Sequence, residues 1–562
     1  MKAFLMYRDA DIGPRVGLPP NRDLMRDWRF WRTPQAATAE HVPPTVAALR
    51  QDLELDTLLA AMAAGDDSLR VVAQKAVLTS LYEPEAILYR QQILADCLEH
   101  PDIIREMYRI AVEAMERERG VWGWMMSGSP EGILHRSVDV LQIFVGLLKS
   151  LRRIADEQGA GFRSEGFQRL FGMFAKELDD EYLAIVDDHL RRLGSRRHLL
   201  MSAELGQGNR GANYILRKPQ DGQQGWIERF RNWIEHLPRR ERSSYVYEIA
   251  DRDESGFRTL SELTGRGISH VAAALAQSTD HILSFFSMMR LELGFYVGCL
   301  NLRDKLAAKG EPICLPEPLP PGRAMFSSRG LYDVCLSLNM KDRVVGNDVT
   351  ADDKRLVMIT GANRGGKSTF LRSVGLAQLM MQCGMFVPAE SFRANVCAGI
   401  FTHFKREEDT TMKSGKLDEE LSRMSSIVDE VTPNSIVLLN ESFASTNERE
   451  GSEIARQIVR ALMEHGVKVI YVTHMFDLAE GFFLAGADSV LFLRAERLAD
   501  GGRTFKLFEG EPLATSHGVD LYRRIFRTAC DASMAEPVGI GAGTKWHEAA
   551  APIACRQAEA RD

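Results

Sequence analysis

The chain has 562 residues, 70 Lys and Arg against 77 Asp and Glu for a formal net charge of -7, and is 45% hydrophobic and 26% charged. That length exceeds one ordinary core and calls for two or more domains, while the composition is that of a folded globular chain and excludes wholesale disorder. The acidic balance excludes a globally basic nucleic-acid binder, so any DNA contact must come from a local basic surface.

Eight cysteines without C-x-x-C spacing indicate neither a zinc site nor a disulfide framework and read as buried thiols. No uninterrupted apolar stretch is long enough for a bilayer span, and Met1 to Pro14, with Lys2, Arg8, Asp9 and Asp11, makes a poor secretory signal. A cytoplasmic location without a membrane partner is the expectation.

Residues 1–50, rich in Pro, Arg and Trp, read as an extended segment. From Leu53 apolar residues recur at three- and four-residue steps (Leu55, Leu58, Leu59, Met62; Val71, Val72, Ala76, Val77), and helical readings continue to about Leu193. The segment 199–218, with Gly206, Gly208 and Gly211 between two apolar runs, suggests strand, turn and strand. Around it lie Arg196, Arg197, Arg210, Arg217 and Lys218, which fit equally a solvated hairpin or a phosphate-contacting tip. No proline occurs between Pro238 and Pro312, and Ile268, Val271, Leu275, Ile282, Phe285, Met289, Leu293 and Tyr296 mark one stripe of an extended helix.

The Pro-rich run Pro312 to Pro321 marks a linker. Beyond it Leu356 to Thr360, Ile436 to Leu439 and Val467 to Val472 alternate with amphipathic helices and read as strands buried on both faces of a largely parallel sheet. The expected division is therefore 1–50 extended, 51–322 mainly helical with a reduced clamp near 195–250, 323–531 an α/β domain, and 532–562, rich in Ala and Gly, a disordered tail.

Gly361, Ala362, Asn363, Arg364, Gly365, Gly366, Lys367 and Ser368 satisfy G-x-x-x-x-G-K-[ST] directly after one of these strands and before a helix Thr369 to Cys383. Such a loop lets backbone amides approach phosphates; Lys367 would meet the β- and γ-phosphates of ATP, and Ser368 would supply a Mg2+ ligand. A second strand ends in Asn440-Glu441, where Glu441 can orient the attacking water, and a third in Thr473-His474, from which His474 can reach the γ-phosphate.

The order of these segments, with Phe386-Val-Pro-Ala389, Ser445-Thr446, Phe505-Lys-Leu507 and Gly518-Val519, resembles the MutS family of DNA-clamping ATPases. The phosphate loop is similar to that family's G-P-N-M-G-G-K-S-T with Ala362 and Arg364 as departures, and Thr369 completes it. The resemblance implies an α/β P-loop head of the ABC type on a helical core and lever, ATP and Mg2+ as cofactors, and a homodimer enclosing nucleotide between two heads. It places the signature segment that completes the partner's site near Ser414 and Gly415, with 442–447 at the head interface. Asn440 stands where the family has Asp, so its grip on Mg2+ should be weaker and hydrolysis retained but slow.

The aromatic wedge of the mismatch-reading relatives is not recognisable. The expectation is therefore an ATP-dependent, DNA-binding dimeric clamp acting on DNA structure in repair or recombination rather than reading mismatches, with DNA contact at Arg196, Arg197, Arg210, Arg217 and Lys218. Two alternatives stand beside it. One is an ATPase remodelling a protein or ribonucleoprotein assembly, as in the family's ribosome-linked branch, whose small nuclease-like C-terminal domain has no room after Arg527. The other is an ATP-binding scaffold with little turnover.

Overall fold

The computed structural model describes residues 3–6, 8, 44–121, 130–194, 200–205, 211–217, 254–406, 415–498 and 502–513. They fall into two compact units that do not follow the chain in order. One gathers Leu58–Lys305 and Gln382–Met385 with the first described residues; the other gathers the described part of 42–57, Leu306–Met381 and the described residues from Phe386 onward.

The helices open with α1 (Pro44–Asp52), α2 (Leu55–Ala63), α3 (Asp67–Leu78), α4 (Pro84–Glu99), α5 (Pro101–Gly120), α6 (Pro130–Gln158), α7 (Glu165–Glu177) and α8 (Asp180–Gly194). Their starts are written in the sequence. Asp66 caps α3 by accepting from the Ser68 and Leu69 amides, and Pro84 and Pro101 occupy the first turns of α4 and α5, where a missing N–H costs nothing. In α6 Leu134, Val138, Leu141, Val145 and Leu148 recur every three or four residues and all are buried. Helix α1 begins within the stretch read as extended, and it packs on the second unit's sheet.

The hairpin expected over 199–218 is present as β1 (Leu200–Leu205) and β2 (Gly211–Arg217), antiparallel with a register shift between Ser202 and Glu204. The extended helix is α9 (Glu254–Ala307), 54 residues long. Of the expected stripe, Ile268, Phe285, Met289, Leu293 and Tyr296 are buried and Val271, Leu275 and Ile282 are half-buried, but from Glu292 to Leu300 every residue is buried, so one stripe under-describes this end. Phe174, Phe285, Phe286 and Phe144 form a chain of ring contacts against it. By length and mean hydropathy Ile268–Ala307 could also cross a bilayer, which corrects the reading that no stretch is long and apolar enough; 61% of its apolar window is buried within the protein.

The second unit is built on two sheets. Strands β3 (Glu317–Leu319), β4 (Phe326–Leu331), β5 (Asn347–Thr350) and β7 (Ser391–Asn395) form one in the order β3-β7-β4-β5. Strands β6 (Leu356–Gly361), β8 (Ile400–Phe404), β9 (Ile436–Asn440), β10 (Lys468–Val472), β11 (Val490–Arg497) and β12 (Arg503–Glu509) form the other, ordered β12-β11-β6-β10-β9-β8, parallel except for the antiparallel edge strand β12. With them run α10 (Val334–Asn339), α11 (Lys367–Gln382), α12 (Lys416–Glu430), α13 (Glu448–Glu464) and α14 (Phe476–Leu484).

The expected runs in β6, β9 and β10 are strands with nearly every residue buried, because helices cover both faces. On one face Leu356, Met358, Val437, Leu439, Val469 and Tyr471 pack with Ala455, Val459 and Leu462 of α13 and Leu478, Ala479 and Phe482 of α14. Alternate residues point the other way, as the two-residue period of a strand requires. Of the cysteines, Cys97, Cys299, Cys335, Cys383 and Cys397 are buried as expected, whereas Cys314 is half-buried; Cys530 and Cys555 lie outside the described residues.

Glu292 is buried on α9, where it accepts from the amides of Leu5 and Met6. Burial raises its pKa from 4.5 to about 7, overcoming those two bonds and the nearby Arg90 charge, all of which favour the anion. Because the folded value lies above the unfolded one, this contribution is fully present below about pH 4.5 and is lost as pH rises through about 7. Chemical denaturation of the parent and of Glu292→Gln at pH 5 and pH 8 should show the parent losing on the order of 3 kcal/mol more than the variant over that interval; equal losses would show that the carboxyl does not titrate there.

Candidate functional site

Strands β6, β10 and β9 are adjacent and parallel, so their carboxyl ends lie side by side. Ligands of open α/β sheets gather at such ends. From β6 the chain enters 361–366, where the backbone turns through Gly361 (φ +100°), Arg364 (φ +58°) and Gly366 (φ +88°). The two glycines supply conformations that a side chain would strain. The Gly365 amide closes the turn onto the Ala362 carbonyl at 3.2 Å, and Arg503 Nε of β12 holds the Asn363 carbonyl at 3.2 Å.

Lys367 opens α11, two residues ahead of Thr369, from which the helix was expected to start. Its Nζ is buried and donates to the carbonyls of Gly361 and Ala362, each at 3.0 Å. Burial lowers its pKa to about 8; the Glu441 carboxylate opposes this and Arg503 adds to it. Desolvation outweighs attraction, so this cation sits where a further negative charge would be welcome.

Ser368 Oγ donates to Asn440 Oδ1 at 2.9 Å, joining the loop to the end of β9. Glu441 follows, its amide bonded to the Val472 carbonyl at 2.8 Å and its φ at +53°; Phe443, two residues on, has φ +63°. Each left-handed non-glycine residue costs roughly 1–3 kcal/mol and persists only where its surroundings over-determine it. The Glu441 carboxylate lies 2.9 Å from His474 Nε2, and its pKa is lowered by that hydrogen bond, then by the His474, Lys367 and Lys405 charges, against burial.

The structure thus brings together Lys367, Ser368, Asn440, Glu441 and His474, which the sequence placed in three separate segments. Thr369 lies in the first turn of α11, and Gly415 caps the N-terminus of α12 without a side-chain bond. Arg217 is the last residue of β2. Ser414, Arg196, Arg197, Arg210 and Lys218 lie outside the described residues.

Beside the loop is a cavity of about 310 Å³ that the sequence reading missed. Its walls include Tyr332, Val344, Val345 and Phe505, and Arg364, Gly366 and Thr369 border it. These side chains come from chain segments far apart, and no spacing links them. Phe505, half-exposed with φ +61°, is held by its carbonyl, which accepts from Asn347 Nδ2 at 3.2 Å.

Comparison with known proteins matches residues 82–309 to the family model of the MutS2 N-terminal domain and 357–518 to that of MutS domain V. The chain belongs to the MutS family. It is 40% identical over 137 residues to the DNA mismatch repair protein MutS of Thermotoga maritima, 32% over 161 residues to that of Chloroflexus aurantiacus and 26% over 265 residues to that of Leptospira interrogans. Those matches cover 24%, 28% and 44% of this chain, and 17%, 17% and 30% of the relatives' own length. The MutS domain V match takes in the loop 361–366, Asn440, Glu441 and His474 together.

The fit of this MutS-family loop against its neighbours is testable without any ligand. A Cβ on Gly365 would stand 2.7 Å from the Ala495 Cβ and 2.9 Å from the Ala362 carbonyl oxygen, neither of which can swing aside. Gly365→Ala should therefore lower unfolding stability by about 1–3 kcal/mol. On α7, Gly172 has nothing within 4 Å of an added Cβ, so Gly172→Ala should be neutral or stabilising by up to about 1 kcal/mol. Denaturant midpoints of the two variants check the pair.

Proposed function

We propose that the second unit is a P-loop ATPase head of the ABC type that binds ATP with Mg2+ and hydrolyses it. The observation that carries this is the buried Lys367 ammonium inside the glycine-turned loop, next to Ser368–Asn440 and Glu441–His474 at the ends of three adjacent parallel strands. The residues fit the cofactors. Mg2+ favours one or two protein oxygens alongside phosphate and water, and Ser368 Oγ and Asn440 Oδ1, 2.9 Å apart, are such hard donors.

In this reading Gly361, Ala362, Asn363, Arg364, Gly365, Gly366 and Thr369 line the phosphates through backbone amides and the start of α11. Lys367 neutralises their charge. The cavity walled by Tyr332, Val344, Val345 and Phe505 receives the nucleoside end. ATP, when bound, supplies the phosphoryl group that is transferred to water. Glu441 is the carboxylate placed to orient that water, with His474 holding the carboxylate in position, and Asn440 offers an uncharged ligand where the family has Asp.

The wider function we propose is that of a dimeric, ATP-gated clamp on DNA in the cytoplasm, acting in DNA repair or recombination rather than in mismatch reading. Ser414 and Gly415 would complete the partner's site across the head interface, and Arg196, Arg197, Arg210, Arg217 and Lys218 would contact the DNA backbone. The names of the relatives, DNA mismatch repair proteins, support a repair role. The match of residues 82–309 to the MutS2 N-terminal domain favours a second reading, in which the same head remodels a protein or ribonucleoprotein assembly. ATP turnover with duplex DNA, branched DNA and ribosomes separates the two, since the physiological ligand should stimulate it; a DNA clamp should also lose affinity steeply between 50 and 200 mM salt, roughly 10³-fold or more if about six phosphates are contacted.

Steady-state turnover with equilibrium nucleotide binding tests the head itself. Lys367→Ala should abolish ATP affinity, whereas Glu441→Gln should keep ATP bound and reduce turnover about 100-fold or more, as loss of a water-orienting group does. Asn440→Asp should leave turnover unchanged or raise it. A Lys367→Ala protein that binds ATP like its parent sinks the reading.

A further inference from the structure

The elbow after Glu441 is gripped from a direction that the catalytic reading leaves unused. Ser442 is fully buried, and its hydroxyl lies 2.7 Å from both the His403 carbonyl and His403 Nδ1 on β8. Its own carbonyl accepts from the Tyr471 hydroxyl of β10 at 2.6 Å. The His403 ring stacks on Phe443 at 5.4 Å, and its Nε2 lies 2.9 Å from the Glu420 carbonyl of α12. Because a carbonyl can only accept, Nε2 carries the proton of the neutral ring, and the single Ser442 hydroxyl proton is shared between the two acceptors beside it, the His403 carbonyl and Nδ1. Burial and the Arg423 charge, which lower the His403 pKa to about 4, agree with a neutral ring.

Glu420 grips the same loop again. It is 3% exposed, its Oε1 accepts from the Ser445 hydroxyl at 2.8 Å, and its Oε2 is buried without a hydrogen-bond partner among the described residues. A carboxylate is a costly choice for a buried site that uses one oxygen, so packing alone does not account for it. Backbone and side chain of one residue on α12 therefore reach both Ser442, through His403, and Ser445. Between them lies Phe443, and just before them Glu441, both with positive φ.

We propose that Glu420 and His403 are positioning residues for Glu441, forming a buried bracket through which the placement of α12 sets the elbow that carries the carboxylate. The proposal rests on the ATPase reading above. Two left-handed residues in three are not stable on their own, and the bracket supplies contacts that over-determine them. Displacing α12 would pull on Ser442 and Ser445 while leaving the 361–366 loop and its cavity untouched. Turnover should respond and nucleotide affinity should not.

The test uses the full chain, measuring kcat and KM for ATP, equilibrium affinity for a fluorescent ADP analogue, and thermal unfolding. Glu420→Ala and Ser445→Ala should each lower kcat tenfold or more with KM and ADP-analogue affinity within twofold of the parent. The double variant should be no worse than the lower single. Glu420→Gln, which retains an oxygen to accept from Ser445, should return kcat to within threefold. The proposal is overturned if folded Ala variants keep kcat within twofold, if affinity falls in step with kcat, or if Gln behaves as Ala does. Should Glu420→Ala not fold, Ser445→Ala at its partly exposed position decides alone. A parent that binds but never hydrolyses ATP sinks the ATPase reading and the bracket with it; a parent that turns over, with indifferent variants, sinks the bracket alone.

Discussion

Val472 pairs with Ile359 on one side and Asn440 on the other, and this register is the constraint on which the rest of the second unit depends. The Thr473 amide then reaches the Ile359 carbonyl at 3.1 Å and the Glu441 amide the Val472 carbonyl at 2.8 Å, so three strands end level with one another. A slip of one residue in any of them would turn its buried side chains to the opposite face and carry its terminal polar group away from the others. Side chains close-packed on both faces of β6, β9 and β10 would have to repack together in such a slip, which opposes it. Burial of Val, Ile and Leu, remote from any chemistry, is thus what fixes the separation of Lys367, Asn440, Glu441 and His474.

Around that register the protein spends stability on charge and strain. Lys367 is desolvated with carbonyls as its hydrogen-bond partners, and Glu441 and Phe443 hold backbone conformations that most residues avoid. Both features are stable only because the surrounding core is rigid. The polar groups of Ser442, His403 and Tyr471 are buried at the same place, and their mutual hydrogen bonds make that burial tolerable. The arrangement links the sheet, α12 and the elbow into one hydrogen-bonded piece. The helical unit shows the same economy on a smaller scale, where Glu292 on α9 is buried against two backbone amides.

The MutS-family matches span most of the helical unit and the part of the second unit that carries the loop and the parallel strands, and they leave the particular ligand open. The matched relatives are much longer proteins, of which this chain spans less than a third. Asn440 puts a neutral oxygen beside Ser368, and Arg364, with positive φ, borders the cavity.

By itself the sequence determined the chemistry-bearing segments: the glycine-lysine-serine loop, the strands ending in Asn440-Glu441 and Thr473-His474, the long helix and the hairpin near 200–217. These were legible because each is local, set by backbone freedom at glycine, by runs of apolar residues and by the period of a helix or strand. Only the tertiary structure decided which strands lie beside β6, that 382–385 groups with the helical unit, that Tyr332, Val344, Val345 and Phe505 enclose one cavity, and that Glu420 and His403 stand behind Glu441. Those relations join residues far apart in the chain through packing and shared hydrogen bonds, and no pattern of spacing along the sequence encodes them.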